Sequence, residues 1–351
     1  IGFSDQGRPI VAVKLTRDAN QIPDGTQPAV LYSALQHVRE WIGPEVAWRL
    51  VRHLLDGYGH DARLTRLVDE RELWFVPVAN PEGYEHTFTP GNRLWRKTMR
   101  DNNGNGAFDP GDGVDPNRNY PSHWGYDDEG SGADPASWTY RGPAPASESE
   151  TQAITGLLDR VPFTFMVNYH SVAELILYGL GWQVETTSPD TPLHVALAGA
   201  PGRPAIEGFK PQLSARLYTT NGETCDTAIS VFRTTCFTPE LSDGGSGGGF
   251  VFPDDEALVE AEFVKNLPFA LDLADSAADP SRPVSHLGNS LEPLLIDPFP
   301  VSYGDPQPVQ VDALRRLGDV SVHYRIGDGP TRTAPTQEWH GGERYGDAGD
   351  I

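Results

Sequence analysis

The stretch AVLYSALQHVREWIGPEVAWRLVRHLLDGY, residues 29–58, changes rhythm in its middle. Its first seven residues are apolar and partly aromatic, as in a buried strand, while from Pro44 onward apolar positions recur at helical spacing. Between the two lie His37 and Glu40, three residues apart. A strand that hands over to a helix is the repeating unit of an α/β sheet, and side chains at that handover sit on the carboxyl edge, where such sheets bind ligands. His-x-x-Glu alone decides nothing in a chain with 10 His and 49 acidic residues, because a surface ion pair has the same spelling. A hydrolytic zinc site needs three protein ligands, an open position and a separate carboxylate base. The rest of the chain has to supply them.

The same alternation continues outward. PIVAVKL (9–15), LWFVPVA (73–79) and FTFMVNYH (163–170) read as further buried strands, and PEVAWRLVRHLLDGY (44–58) and SESETQAITGLLDRV (147–161) as helices. The expected fold class is therefore α/β: a mixed, largely parallel central sheet with helices on both faces. FTFMVNYH ends in His170, so its strand would deliver a second histidine to the same edge, although a lone histidine there is more often a packed core residue. Residues 80–145 form a Gly, Pro, Asn and Asp-rich passage too long for an idle connection. A helix is predicted over 254–274, with Pro253 ahead of it and Pro268 set to kink it. SAADPSRPVS (276–285) reads as a linker between a unit spanning 1–275 and a β-rich, β-sandwich-like module over 286–351. The module is expected to stop at Ile351 before it is complete. The opening IGFSDQGRPIVAVKL lacks an initiator methionine, and processing or truncation ahead of Ile1 is expected.

With 351 residues, 38% of them hydrophobic, the chain can bury a large core. Its 27 Lys and Arg against 49 Asp and Glu give a net charge of -22, which repels polyanions and argues against nucleic acid as a partner. No apolar run reaches the length of a membrane span. Cys225 and Cys236 are the only cysteines; they can form one bridge in an oxidising compartment or stand as two buried thiols.

The order of short motifs along the first 275 residues resembles the zinc metallocarboxypeptidases of the carboxypeptidase A type, peptidase family M14, in the manner of a bacterial-type secreted member with a C-terminal β-rich module. The residues that carry the likeness are HVREWI from His37, NPEGY (80–84), NRLWRK (92–97), VDPNRNY (114–120), YTTNGETCDTA from Tyr218 and FTPEL ending at Leu241. Tyr218 and Glu240 keep the family's separation of 22 residues. The resemblance implies zinc held by His37, Glu40 and His170, the two-histidine, one-glutamate set that carboxypeptidase A uses. It implies Glu240 as the general base that takes a proton from the attacking water and returns it to the leaving amine, and Arg96 as a stabiliser of the oxyanion. Asn117 and Arg118 would grip the substrate's terminal carboxylate, for which a planar guanidinium is suited, with Arg39 assisting further out and Tyr218 covering the end residue. Cys225, seven after Tyr218, takes the side-chain selectivity position, where Glu223 and Asp226 nearby could attract a basic residue or simply be solvated. Leu35 and Gln36 stand where many relatives have glycine and an aliphatic residue, a change expected to affect packing more than ligation. The first strand and helix of the family are expected to be missing from the start.

DNNGNGAFDPGD, residues 101–112, fits the calcium-loop spacing, with Asp112 in place of the usual Glu. Asp101, Asn103, Asn105 and Asp112 side chains and the Ala107 carbonyl would supply oxygens, bracing the segments that carry Arg96 and Arg118; a metal-free Asn-Gly turn is the alternative. The expected function is a secreted, monomeric zinc exopeptidase acting on peptide and protein C-termini. An amidase on cell-wall or modified peptides, or a binding protein that keeps the fold without catalysis, are the competing readings. H-E-x-x-H is absent and no nucleophile elbow is recognisable, which disfavours that class of endopeptidase and a serine mechanism.

Overall fold

The computed structural model describes residues 1–184, 188, 190–243, 252, 255–292 and 321–336, with the backbone of two further strands, Leu294–Asp297 and Gln310–Ala313. Its centre is a sheet of seven strands: β1 (Val13–Leu15), β2 (Ala29–Ala34), β3 (Glu72–Val76), β4 (Phe163–Tyr169), β5 (Leu175–Tyr178), β6 (Lys210–Leu213) and β7 (Thr235–Glu240), in the spatial order β6-β5-β7-β4-β2-β3-β1. β7, β4, β2 and β3 run parallel; β1 is antiparallel to β3 at one edge, and β5 is antiparallel to β7 with β6 parallel beside it. The sheet is thus mixed, with a parallel centre.

Seven helices are described: α1 (Ile42–Gly57), α2 (Ala62–Glu70), α3 (Pro81–Thr87), α4 (Ser149–Arg160), α5 (Thr191–Ala198), α6 (Thr224–Ser230) and α7 (Glu256–Ser276). Both faces of the sheet are covered. Val30, Tyr32 and Ala34 of β2 face a core shared with α1, α2, α5 and α7, while Ala29 and Leu31 face a second core built on α4 and α6. That division follows from the two-residue period of the strand, and burial on both sides explains why β2 is apolar except at Ser33.

Several local expectations shift. PIVAVKL does not run as one strand: Pro9–Ile10 pairs with Gly2–Phe3, and only Val13–Leu15 joins the main sheet. The strand expected over 73–79 ends at Val76, immediately before Pro77, which has no N–H to give a neighbour. The last long helix is capped by Asp255, whose side chain accepts from the Leu258 N–H, and it continues through Pro268 to Ser276; Pro253 and Asp254 lie outside the described residues. Among the described residues after 286 there are two antiparallel strand pairs, Leu294–Asp297 with Gln310–Ala313 and Val322–Tyr324 with Arg332–Ala334. The remainder of the expected module lies outside the described residues. No helix among the described residues is long and apolar enough to cross a membrane.

Candidate active site

Three neighbouring parallel strands, β7, β4 and β2, end side by side, and each delivers chemistry at its carboxyl end. His37 and Glu40 lie in the short connection from β2 to α1; His170 follows β4; Glu240 is the last residue of β7. His170 and Glu240 are held in register by backbone bonds, His170 N–H to Pro239 O at 3.0 Å and Leu241 N–H to His170 O at 2.8 Å.

His37, Glu40 and His170 are buried, and their ligand atoms all lie within 4.8 Å of one another. His37 Nδ1 is 2.8 Å from Glu40 Oε1, His170 Nδ1 is 2.9 Å from Glu40 Oε2, and the two Nδ1 atoms, 133 residues apart in the chain, are 3.0 Å from each other. Two imidazole nitrogens and a carboxylate turned on one point are a donor set of the kind zinc takes, so the residues fit the ion. Burial opposes the ionised form of Glu40, but the two imidazoles outweigh it and hold its pKa below the usual range. Burial and Arg96 lower the pKa of His37. At His170 burial acts in the same direction, yet the Glu40 carboxylate prevails and the pKa is raised.

The other ring nitrogens are held from behind. His37 Nε2 is 3.0 Å from Asp115 Oδ1, and His170 Nε2 is 2.9 Å from the Asn168 amide, which Gln36 contacts in turn at 2.8 Å. Such partners fix the ring orientation of a ligating histidine. Asp115 does more: its Oδ2 accepts Arg96 Nε at 2.9 Å and Nη2 at 2.8 Å, and its Oδ1 caps the short helical turn Pro116–Arg118 by accepting the Asn117 N–H. One carboxylate therefore ties a histidine, the guanidinium of Arg96 and the turn bearing Asn117 and Arg118. VDPNRNY held the signal, an Asp followed by Pro as at a helix start, without disclosing the partners. Gln36 also reaches Thr224 and so joins β2 to α6, while Leu35 adopts φ 59°, the left-handed region where glycine is unstrained. The Leu35-Gln36 pair thus acts on the support of His170 as well as on packing.

His37, Glu40 and Arg96 open onto one cavity of about 270 Å³ whose lining also includes Arg39, Asn117, Arg118, Tyr218, Glu223 and Glu240. Arg118 is buried, donates from Nη1 to Asn117 O at 2.6 Å, and its Nε has no partner among the described residues. Asn117 Oδ1 accepts from the Thr224 N–H and hydroxyl, which leaves its amide donors for another acceptor. Tyr218 is half exposed, with the Arg118 guanidinium 5.8 Å from its ring centre. Arg39 lies over Phe252 at 4.5 Å and Trp138 at 5.9 Å. Gly222, at φ 64°, lets the 218–224 segment approach the 118–120 backbone: a Cβ there would meet Arg118 O at 2.5 Å. Desolvation by the surrounding protein pushes Glu240 up to about 7, with His170 and Arg96 acting against the rise and Glu40 and Glu223 adding to it.

Cys225 is bonded to Cys236 on the neighbouring β7 and its sulfur touches Thr238 Oγ1 at 3.2 Å. It is 3% exposed, and the cavity wall beside it is made by Glu223 and Thr238.

The 101–112 loop is local and mostly exposed. Asp101 accepts from the Gly104 and Gly106 N–H groups, Asn103 Oδ1 from Asn105, Asn105 Oδ1 from Ala107, and the buried Asp112 from Asn102 and Asp109. Its base is closed by Thr98 N–H to Val114 O at 2.8 Å and Gly113 N–H to Arg100 O at 2.8 Å. Among the described residues the His37, Glu40 and His170 group is the one place where three ionisable ligands converge, and the loop does not form a second.

A family model described as zinc carboxypeptidase matches residues 1–264, and the chain belongs to that family. A metallocarboxypeptidase A of Trichophyton equinum is 31% identical over 271 residues, covering 74% of this chain and 62% of its own length. Carboxypeptidase A4 of Mus musculus is 30% identical over 267 residues, covering 75% and 61%. The solved structure of carboxypeptidase A from Helicoverpa armigera superposes with a TM-score of 0.64 at 26% identity, covering 79% of this chain and 67% of that one. The chain spans about three fifths of the length of the curated relatives it matches.

Proposed function

We propose that this chain is a zinc-dependent exopeptidase that hydrolyses the C-terminal peptide bond of peptides and proteins. The observation that carries the proposal is a single cavity lined by the buried Arg118, whose Nε has no partner among the described residues, together with Glu240, His37 and Glu40. A peptide's terminal carboxylate answers the first, and a scissile bond one residue back answers the second.

His37, Glu40 and His170 hold the ion. Zinc in such a site polarises a carbonyl and makes water a better nucleophile at neutral pH. Arg118 and Asn117 bind the terminal carboxylate and fix the register of the chain end, so that one residue is removed at a time. Glu240 takes the proton of the attacking water and hands it to the departing amine. Arg96, fixed by Asp115, donates to the oxyanion as it forms. Tyr218 covers the end residue, and Arg39 contacts the peptide further from its end.

Secretion accompanies this reading, supported by the Cys225–Cys236 bridge, since disulfides persist in oxidising compartments. So does a structural calcium ion in the 101–112 loop. Its support is the residue spacing, together with the fact that a carboxylate or amide oxygen accepting one N–H keeps a further lone pair. The division into a catalytic unit over 1–275, a linker over 276–285 and a β module over 286–351 is supported by the end of α7 at Ser276.

The deciding experiment compares a blocked dipeptide with its C-terminal amide on the zinc-loaded chain. The free acid is expected to be favoured by roughly 10²-fold in kcat/KM, and Arg118→Ala should remove most of that preference. Equal turnover of acid and amide by the unaltered chain would turn the reading to an endopeptidase or an amidase.

A further inference from the structure

The cavity extends past Arg118 to a wall where two acids are buried side by side. Asp226 is engaged by backbone, accepting the Gly181 N–H at 2.8 Å and the Trp182 N–H at 3.0 Å. Glu223 is not. It occupies the N-cap position of α6, yet its side chain makes no capping bond. It turns instead to the hydroxyls of Thr220, at 2.9 Å, and Ser214, and it lines the cavity with 6% of its surface exposed. Gly181 makes room for this: a Cβ there would strike Thr220 Oγ1 and crowd Glu223 Oε2 at 3.2 Å.

A buried carboxylate is costly unless a cation or several N–H donors answer it. Burial raises the pKa of Glu223, and the cation acting most against that rise is Arg118, which the exopeptidase reading commits to the substrate's own carboxylate. Leu177 and Val172 line the same cavity and offer apolar surface to an alkyl stem. A ligand that carries an α-carboxylate for Arg118 and a positive side-chain end for Glu223 satisfies both charges at once.

Resting on the exopeptidase reading, we infer that Glu223 is the specificity-determining residue of this pocket and that the preferred C-terminal residue is arginine or lysine. The selectivity resides on the wall formed by Glu223, Thr220 and Ser214. The Cys225–Cys236 bridge lies behind that wall and fixes α6 to β7.

The test measures kcat/KM of the zinc-loaded chain on benzoylglycyl dipeptides ending in arginine, lysine, leucine or phenylalanine, and binding of free L-arginine and L-leucine by calorimetry. Arginine and lysine ends should be favoured over leucine by about 10-fold or more, and Glu223→Gln, which keeps an acceptor for Thr220, should reduce the arginine-to-leucine ratio by about 10- to 100-fold. A chain that cleaves leucine or phenylalanine ends as well as arginine overturns the inference, as does a ratio unchanged in Glu223→Gln. If no dipeptide is cleaved, the exopeptidase reading falls and the calorimetry decides the pocket separately. Tighter binding of L-arginine than L-leucine, lost in Glu223→Gln, upholds the assignment; equal binding overturns it.

Discussion

Glu40, between β2 and α1, and Glu150, in the first turn of α4, are both buried carboxylates, and their surroundings drive them in opposite directions. Around Glu40 two imidazoles from separate strands outweigh burial and keep the group ionised. Around Glu150 burial dominates, Glu148, Glu82 and Asp5 add repulsion, Oε2 has no partner among the described residues, and the pKa is pushed up to about 8. Burial of an acid therefore does not by itself mark a site. What separates the two is convergence: donors from the ends of β2 and β4 meet at one point, whereas the charges acting most on Glu150 are those of other acids.

The largest effect belongs to the convergent site. His170→Ala removes one of three ligands, and zinc and activity should be lost together when metal content and turnover are measured on the purified variant; stoichiometric zinc in that variant would remove His170 from the site. Glu150→Gln sharpens the other half of the comparison. Because the folded-state pKa is raised, the folded chain keeps a proton that the unfolded chain has released, so stability falls as pH rises from about 4.5 towards 8. The substitution should leave the melting temperature nearly unchanged at pH 5 and raise it by pH 8, through a gain of up to about 4 kcal/mol. Equal shifts at both values would mean that the side chain matters through packing and not through charge. Smaller again is the effect expected in the exposed loop. If calcium at a hundred times its Kd occupies 101–112, its chelation with zinc kept saturated costs about 2–3 kcal/mol and several °C in melting temperature, and Asp101→Ala should erase the difference. An unchanged melting curve would reduce the loop to a turn held by its own amides.

The parts of this arrangement that could be read from the chain are those carried by short-range pattern. AVLYSAL and FTFMVNYH are mostly apolar because their strands are covered on both faces, and each leads within two residues to a histidine of the His37, Glu40 and His170 cluster. Convergence of His37 with His170 could be expected only through motif order, since the two are 133 residues apart. Asp115 was in view as a letter of VDPNRNY, but its bonds to Arg96 and His37 span 19 and 78 residues, and nothing local encodes them. The four-residue strands β5 and β6 and the seven-residue α6 are too short for periodicity to declare them. Cysteine count allowed one bridge without stating that it is made; adjacency of α6 and β7 makes it.

Central to the proposed chemistry is Glu240 acting on water beside the ligand cluster without holding the ion. Glutamine has nearly the same shape but cannot take the proton from the attacking water, so zinc content and turnover of a blocked dipeptide, measured together on Glu240→Gln, test this directly. Unchanged zinc and a fall in kcat of at least about 10³-fold are expected. Near-normal turnover with zinc bound, or loss of the zinc itself, would contradict it.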